Sequence, residues 1–132
     1  MSRHRLLLQQ IRALGRYTSD EEAERVLAVV LTVLGSQLTG EERCDLAAAL
    51  PEPDRAVFAA QVPLPAPVAA PAFVEAVAHA LNTTLAGARW DTSSVLTALA
   101  DLAGRPAADR VLAGLPRGYA LLFGRADLAA AA

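Results

Sequence analysis

The chain has 132 residues and a mass of 13.8 kDa, the size of one domain or of two very small domains packed together. Hydrophobic residues make up 54% of it, which excludes a disordered chain, and its single cysteine, Cys44, excludes an intrachain disulfide scaffold. The formal net charge is −2 and all 12 basic residues are arginine, so the chain lacks the basic excess typical of nucleic-acid-binding proteins.

The N-terminal part of the chain predicts two helices. The first covers residues 3–14, where leucine and isoleucine recur on one face, and it ends at Gly15. Ser19 and Glu22 have the spacing of a capping box and start the second helix, which is expected to run to about Leu38. Apolar residues surround most of this second helix, which predicts a position in the core.

Two shorter helices are predicted next. Residues 39–42 have the sequence of a second capping box and open a helix that ends near Leu50-Pro51. Pro53 is expected at the first position of the following helix, which places Val57 and Phe58 inward. Residues 62–71 then contain four prolines and predict an extended, semi-rigid linker.

The second half repeats this order of elements. A helix carries Phe73, Val77 and Leu81, and the next is expected to start at Asp91 as its N-cap, with the Trp90 ring folded over Val95. A short helix then runs from Arg105-Pro106 to Leu115-Pro116. The last helix carries Tyr119, Leu122 and Phe123, and a frayed alanine tail follows at 129–132.

A fixed spacing relates the two halves. An offset of 65 residues takes Leu50-Pro51 to Leu115-Pro116 and Phe58 to Phe123, and it also matches three apolar positions of the long helices. In the first helices the offset is 66, which takes Leu7 to Phe73. These matches predict an internal duplication.

The sequence resembles the bacterial DUF2267 family. The resemblance rests on a long aliphatic helix, then Gly40-Glu41 leading to Leu46 and Leu50-Pro51, then a helix with Phe58, in an order that occurs twice. In the second copy Gly104-Arg105-Pro106 stands where Gly-Glu is usual. The resemblance implies two tandem helical repeats and implies no reaction and no catalytic residues.

Together these patterns predict an all-α protein with two tandem repeats of about four helices each, packed as one compact bundle-like domain. We expect repeat one at 1–61, the proline-rich linker at 62–71, repeat two at 72–128 and the frayed tail at 129–132. Each repeat has about 65 residues and would be marginally stable by itself.

No residue pattern indicates catalysis, a cofactor or a metal, so no catalytic, cofactor-binding or metal-ligating residue is assigned. His79 with Glu75 one turn earlier offers at most half a metal site, and Cys44 has no histidine base near it in sequence. The acids at 20–24 and 41–42 stand at predicted helix starts, where capping and the helix dipole account for them. The sequence therefore predicts that the protein is not an enzyme.

No segment is long and apolar enough to span a membrane, and the N-terminal leucines end too early for a signal peptide. We therefore expect a cytoplasmic protein, and the lysine-free, alanine- and arginine-rich composition indicates a GC-rich bacterial genome. A phosphate-binding arginine surface is the alternative explanation of that composition.

The function predicted from these features is a non-catalytic helical interaction or scaffold module that binds a protein partner or a second copy of itself. The alternative is a carrier for an apolar small molecule held between the two repeats. Neither nucleic acid nor membrane is an expected partner.

Overall fold

A computed structural model describes residues 2–125 of the chain, and these residues form helices and connecting loops with no strand. The predicted alanine tail at 129–132 and the last residues of predicted repeat two lie outside the described residues. The helices within 2–125 are α1 Arg3–Gly15, α2 Asp20–Gly35, α3 Gly40–Ala49, α4 Asp54–Ala59, α5 Ala70–Leu81, α6 Leu85–Ala103, α7 Arg105–Ala113 and α8 Tyr119–Leu122.

Four helices form the centre of the molecule, and they come from both halves of the chain. The first helix of each half, α1 or α5, packs against both long helices, α2 and α6, which also contact each other. Ile11, Leu31, Phe73 and Leu96 are therefore fully buried in one hydrophobic cluster. The all-α class is confirmed, and its core is shared between the halves.

The shorter helices close the two ends of this core. Helix α4 packs on α2, α7 and α8 pack on α6, and α3 contacts α7 from the other half. Leu50 and Leu115, each followed by a proline, are buried where α3 and α7 end. No helix among residues 2–125 has both the length and the apolar character needed to cross a bilayer.

The first predicted capping box is confirmed and the end of its helix is not. The Ser19 hydroxyl accepts a hydrogen bond from the Glu22 N–H at 3.2 Å, while the Glu22 carboxylate accepts one from the Thr18 N–H. Helix α2 ends at Gly35, three residues before the predicted Leu38. A Cβ at Gly35 would lie 2.6 Å from the Phe58 carbonyl oxygen, so only glycine lets α4 approach this closely.

The other two predicted capping sites differ from the structure in different ways. Helix α3 begins at Gly40 directly after Thr39, as predicted, but without the predicted capping box. The Thr39 side chain makes no capping hydrogen bond, and Gly40 after it has a φ of +67°, which is not the helical conformation that a capped first residue has. Asp91 does not start a helix, because Thr84 caps α6 six residues before Trp90 by accepting from the Gly87 N–H at 3.0 Å. Trp90 and Asp91 therefore lie inside α6, and the indole does not fold over a helix start.

The proline-rich linker is hydrogen-bonded to both halves. Leu64 donates its N–H to the Ser36 carbonyl at 2.9 Å, and Val68 donates to the side-chain carbonyl of buried Gln37 at 2.7 Å. The Tyr119 hydroxyl of the second half donates to the Val68 carbonyl at 2.8 Å. Helix α5 begins at Ala70, so the last two residues of the predicted linker are helical, with Pro71 in the first turn.

Helix starts recur at a constant spacing along the chain. Helices α2, α3 and α4 begin at residues 20, 40 and 54, and α6, α7 and α8 each begin 65 residues later. Helices α1 and α5 end in left-handed residues, Arg16 and Asn82, that are 66 positions apart. This is the helix order that the predicted duplication requires, and the superposition of residues 20–60 on 85–125 stays a prediction.

Candidate functional site

The residues considered for chemistry from the sequence are dispersed. His79 and Cys44 are both exposed, on α5 and α3 respectively. Among residues 2–125 no three His, Cys, Asp or Glu side chains form a group that could hold a metal ion. Of the predicted helix-start acids, Asp20 pairs with Arg12 at 2.9 Å and Glu22 completes a cap, so these carboxylates stabilise the α1–α2 turn.

His4 lies in α1 and joins three helices. Its Nδ1 is 2.8 Å from a carboxylate oxygen of Asp54, and its Nε2 is 3.1 Å from one of Glu24. The hydrogen bond to Asp54 raises the pKa of His4, while burial raises the pKa of Asp54, whose residue is 4% exposed. The protonated imidazole can donate to both carboxylates at once, so His4 links α1 to α2 and α4 through hydrogen bonds.

Trp90 is held in a fixed position on the surface of α6. Its indole N–H donates to the Gly15 carbonyl, the last of α1, at 3.0 Å, and the neighbouring Asp91 accepts a 2.6 Å hydrogen bond from the Tyr17 hydroxyl. Burial raises the pKa of Tyr17 and of Asp91. Trp90 is nevertheless 52% exposed to solvent. One hydrogen bond therefore orients an indole whose surface faces solvent.

The contact that Trp90 makes has a counterpart in the other half. Arg25, which precedes Trp90 by 65 positions, donates to the carbonyl of Leu81, the last residue of α5, at 3.1 Å. Each long helix thus supplies one N–H donor to the carbonyl end of the other half's first helix. This spacing is the signal that could have placed Trp90 inside α6 from the sequence.

A shallow groove of about 440 Å³ runs along α1 beside Tyr17. Arg12 stands in it and donates to the Tyr17 carbonyl at 3.2 Å, to the Thr18 carbonyl at 2.8 Å and to Asp20. These bonds fix the α1–α2 turn, which also provides the Gly15 carbonyl that Trp90 contacts. Tyr17, which lines the groove, also donates to Asp91 beside Trp90, and we call the Trp90 ring and this groove together the Trp90 face.

A larger cleft of about 1100 Å³ lies in the second half, between α6, α7 and α8, and is called the second-half cleft below. Small residues make much of its wall, among them Ala100, Gly104, Ala108 and Ala120. Charged residues of both signs also line it, namely Asp101, Arg105, Asp109, Arg117 and Arg125. Its volume is slightly above the roughly 300–1,000 Å³ that is usual for ligand pockets.

Comparison with known proteins identifies one family. The family model described as "Uncharacterized conserved protein (DUF2267)" matches residues 4–122, which is nearly the whole chain. No curated protein matches the chain.

Proposed function

This chain belongs to the DUF2267 family, and we propose that it is a non-catalytic helical interaction module that binds a protein partner through the Trp90 face. The observation that carries the proposal is the exposed indole, which is the only tryptophan in a chain with 5% aromatic residues. Tryptophan is among the residues most enriched at the energetic centres of protein interfaces.

The hydrogen bond of the Trp90 indole supports this proposal because it lowers the cost of binding. A side chain whose orientation is already fixed loses little conformational freedom when a partner packs on it. The indole N–H is also satisfied inside the protein, so a partner can cover the ring without leaving a buried donor unpaired. The ring can therefore serve as a preformed apolar anchor.

The groove beside Tyr17 supplies the polar part of such an interface. Arg5, Arg12 and Asp20 carry charges along it, while Ala13 offers a small apolar floor. An apolar anchor next to charged, hydrogen-bonding residues matches the usual arrangement of a core and a rim. A second copy of the chain is one form the partner can take. We further propose that the protein acts in the bacterial cytoplasm.

Two arginine substitutions test the Trp90 face. Trp90→Arg removes the indole but keeps an N–H donor for the Gly15 carbonyl, as Arg25 does for Leu81 in the other half. Leu121→Arg is the matched control, because Leu121 is 53% exposed and lies on α8, away from the Trp90 face. Circular dichroism and thermal unfolding establish that both variants fold.

Binding is then measured in two ways. Sedimentation velocity over a range of concentrations reports self-association, and affinity capture from the native host, followed by titration of the purified captured protein, reports a different partner. We expect Trp90→Arg to weaken the complex at least tenfold and Leu121→Arg to leave it unchanged. Equal affinity of a folded Trp90→Arg variant and the parent protein would refute the role of the Trp90 face.

A carrier of an apolar small molecule is the second proposed function. The second-half cleft, with its alanine-rich wall, supports it as a place where an apolar molecule could be held. Native mass spectrometry of protein purified from its host without denaturation tests this function. We expect one co-purifying small molecule, and a mass equal to that of the bare chain would contradict the carrier.

A further inference from the structure

We propose that the second-half cleft receives the guanidinium group of an arginine side chain from a partner protein. This site is separate from the Trp90 face. The cleft begins at Thr97 on α6, seven residues beyond Trp90, and extends to the end of that helix. The distance from Trp90 to Ala100 is roughly 15 Å along the helix axis at 1.5 Å per residue.

The first half shows how a guanidinium closes the corresponding space. Arg43, the fourth residue of α3, donates to the carbonyls of Gln61 at 2.8 Å and Leu38 at 3.1 Å. It also reaches the carbonyl of Gly35, and it lies over the Phe58 ring at 5.0 Å from the ring centre. One side chain thus joins the carbonyl ends of α2 and α4.

A second arginine of the first half closes the end of α3 in the same way. Arg55 on α4 donates to the carbonyls of Ala47 at 2.8 Å and Leu50 at 2.9 Å. The last carbonyls of a helix have no partner within the helix and carry partial negative charge, so they favour a cationic donor. Both arginines therefore donate to backbone carbonyls at or near the ends of helices.

Both arginines are replaced by alanine in the second half. Ala108 and Ala120 stand 65 positions after Arg43 and Arg55, and both line the second-half cleft. Phe123, which stands 65 positions after Phe58, also lines it. The cleft therefore has an aromatic ring at the position of Phe58, while the two side chains that fill the space in the first half are missing. Helix α6 ends at Ala103, three positions past the counterpart of the last residue of α2.

The carbonyl groups in this region receive no substitute donor from a described side chain. Among residues 2–125, no side chain donates to the carbonyls of Ala103, Leu112 and Leu115, which stand 65 positions after the acceptors Leu38, Ala47 and Leu50. The Ala100 carbonyl, the counterpart of the Gly35 carbonyl, already accepts the Gly104 N–H at 3.0 Å, and the counterpart of Gln61 lies outside the described residues. Arg125 donates instead to Asp109 at 2.5 Å. Residues 126–132 contain only alanine, aspartate and leucine, so they have no side-chain N–H to offer.

The chemistry of the wall selects a guanidinium over other groups. Its planar fork has five N–H donors, which can serve several carbonyls at once, and its face can stack on an aromatic ring. A lysine ammonium concentrates its charge at one point and serves fewer acceptors in a plane. The charged lining consists of three arginines and two aspartates, and Asp109 is paired with Arg125, so the preference for a guanidinium comes from the carbonyl groups and Phe123 and not from a net negative charge.

Short peptides test this preference directly. The probe is acetyl-Gly-Arg-Gly-amide, compared with the same peptide carrying lysine or glutamate in place of arginine, in a titration followed by ¹H–¹⁵N NMR. We expect saturable shifts of the amides of Gly104, Ala108 and Phe123 with the arginine peptide, and at least fivefold weaker binding of the lysine peptide. Equal binding of the two cationic peptides, or stronger binding of the glutamate peptide, would overturn the proposal.

Substitution within the chain tests the location. Ala108→Arg restores the first-half arrangement, so we expect it to weaken binding of the arginine peptide at least tenfold and to raise the melting temperature. Ala86→Arg is the matched control, since it adds the same side chain at an exposed position of α6 outside the cleft. If Ala108→Arg does not fold, Ala120→Arg replaces it in the same test.

The result is independent of the Trp90 face. Trp90→Arg is expected to bind the arginine peptide as the parent protein does, so loss of the proposed partner interface leaves this site measurable. Undiminished peptide binding by a folded Ala108→Arg or Ala120→Arg variant would show that the cleft is not the binding site.

Discussion

The two halves of this protein have the same order of helices but close their ends differently. In the first half Arg43 and Arg55 reach inward and hold α2, α3 and α4 together through backbone carbonyls. In the second half alanines occupy both positions, and a cleft of about 1100 Å³ takes the place of the side chains. These two positions thus distinguish the filled end of the first half from the open end of the second, although the helices occur in the same order.

The buried phenylalanines should show the largest effect of this difference. Phe58 is fully buried beneath Arg43, so Phe58→Ala leaves a cavity and should cost about 4 kcal/mol of unfolding free energy. Phe123 borders the cleft, where neighbouring groups can relax and water can enter, so Phe123→Ala should cost about 3 kcal/mol or less. Urea unfolding measures both. A larger cost for Phe123→Ala would contradict the description of the second half as the more open one.

Removal of Arg43 should produce the next largest effect. Arg43→Ala leaves the carbonyls at the ends of α2 and α4 without their charged donor and should cost about 3 kcal/mol, since a hydrogen bond to a charged group contributes roughly 1.5–3 kcal/mol. Arg110→Ala is the control, because Arg110 makes one exposed ion pair with Asp45 at 2.9 Å and should cost less than about 1 kcal/mol. Similar costs for the two variants, measured by chemical denaturation, would show that the carbonyl contacts of Arg43 contribute little.

The pH dependence of stability should originate in the first half. The hydrogen bond to Asp54 raises the pKa of His4 above 6.5, so the folded protein binds this proton more tightly than the unfolded chain does. The stability that His4 contributes is therefore complete below about pH 6.5 and is lost as the pH rises through the raised pKa. The raised pKa of Asp54 has the same sign, and its contribution falls with pH in the range just above 3.8.

Substitution at position 4 isolates this effect. We expect the melting temperature of the parent protein to fall between pH 6 and pH 9, and His4→Asn to flatten that fall. His79→Asn, at an exposed position of α5, is the control and should keep the parental profile. A His4→Asn profile parallel to that of the parent would place the pH dependence elsewhere. The second half has Tyr119 at the position 65 residues after Asp54, where a hydroxyl bonds the Val68 carbonyl.

The smallest effect concerns a buried hydroxyl of α6. Thr92 stands 65 positions after Leu27 of α2, and its hydroxyl is buried without a hydrogen-bond partner among residues 2–125. Thr92→Val replaces that hydroxyl with a methyl group of similar size, so it should stabilise the protein by up to about 1 kcal/mol. Thr32→Val, at an exposed position of α2, should give no gain. Destabilisation by Thr92→Val in thermal unfolding would indicate a partner for the hydroxyl in solution.

Local patterns predicted much of the helical framework. Apolar spacing located the helices and the buried residues Leu50, Phe58, Leu115 and Phe123, and the spacing of Ser19 and Glu22 gave a correct helix start. The sequence pattern did not predict the cap at Thr84 because Asp91 has the same capping chemistry. A capping residue is recognised by its own type and by its neighbours within one turn, so two adequate candidates in one segment cannot be separated by the sequence pattern alone.

The candidate sites depended on contacts between residues far apart in sequence. The orientation of Trp90 depends on the Gly15 carbonyl, 75 positions away, and the hydrogen bond of His4 depends on Asp54, 50 positions along the chain. The difference between Arg43 and Ala108 is visible in the sequence, but only the tertiary structure shows that Arg43 donates to backbone carbonyl groups.

The sequence by itself determined the helix content and most helix positions, because helix formation depends on interactions within three or four residues of each position. It also determined the family, through the order of its motifs. The tertiary structure decided that α1 and α5 each pack on both long helices, that the Trp90 ring faces solvent, and that a cleft opens beside α7. Those features arise from packing between distant segments, where the size of a single side chain, arginine or alanine, determines whether a space is filled.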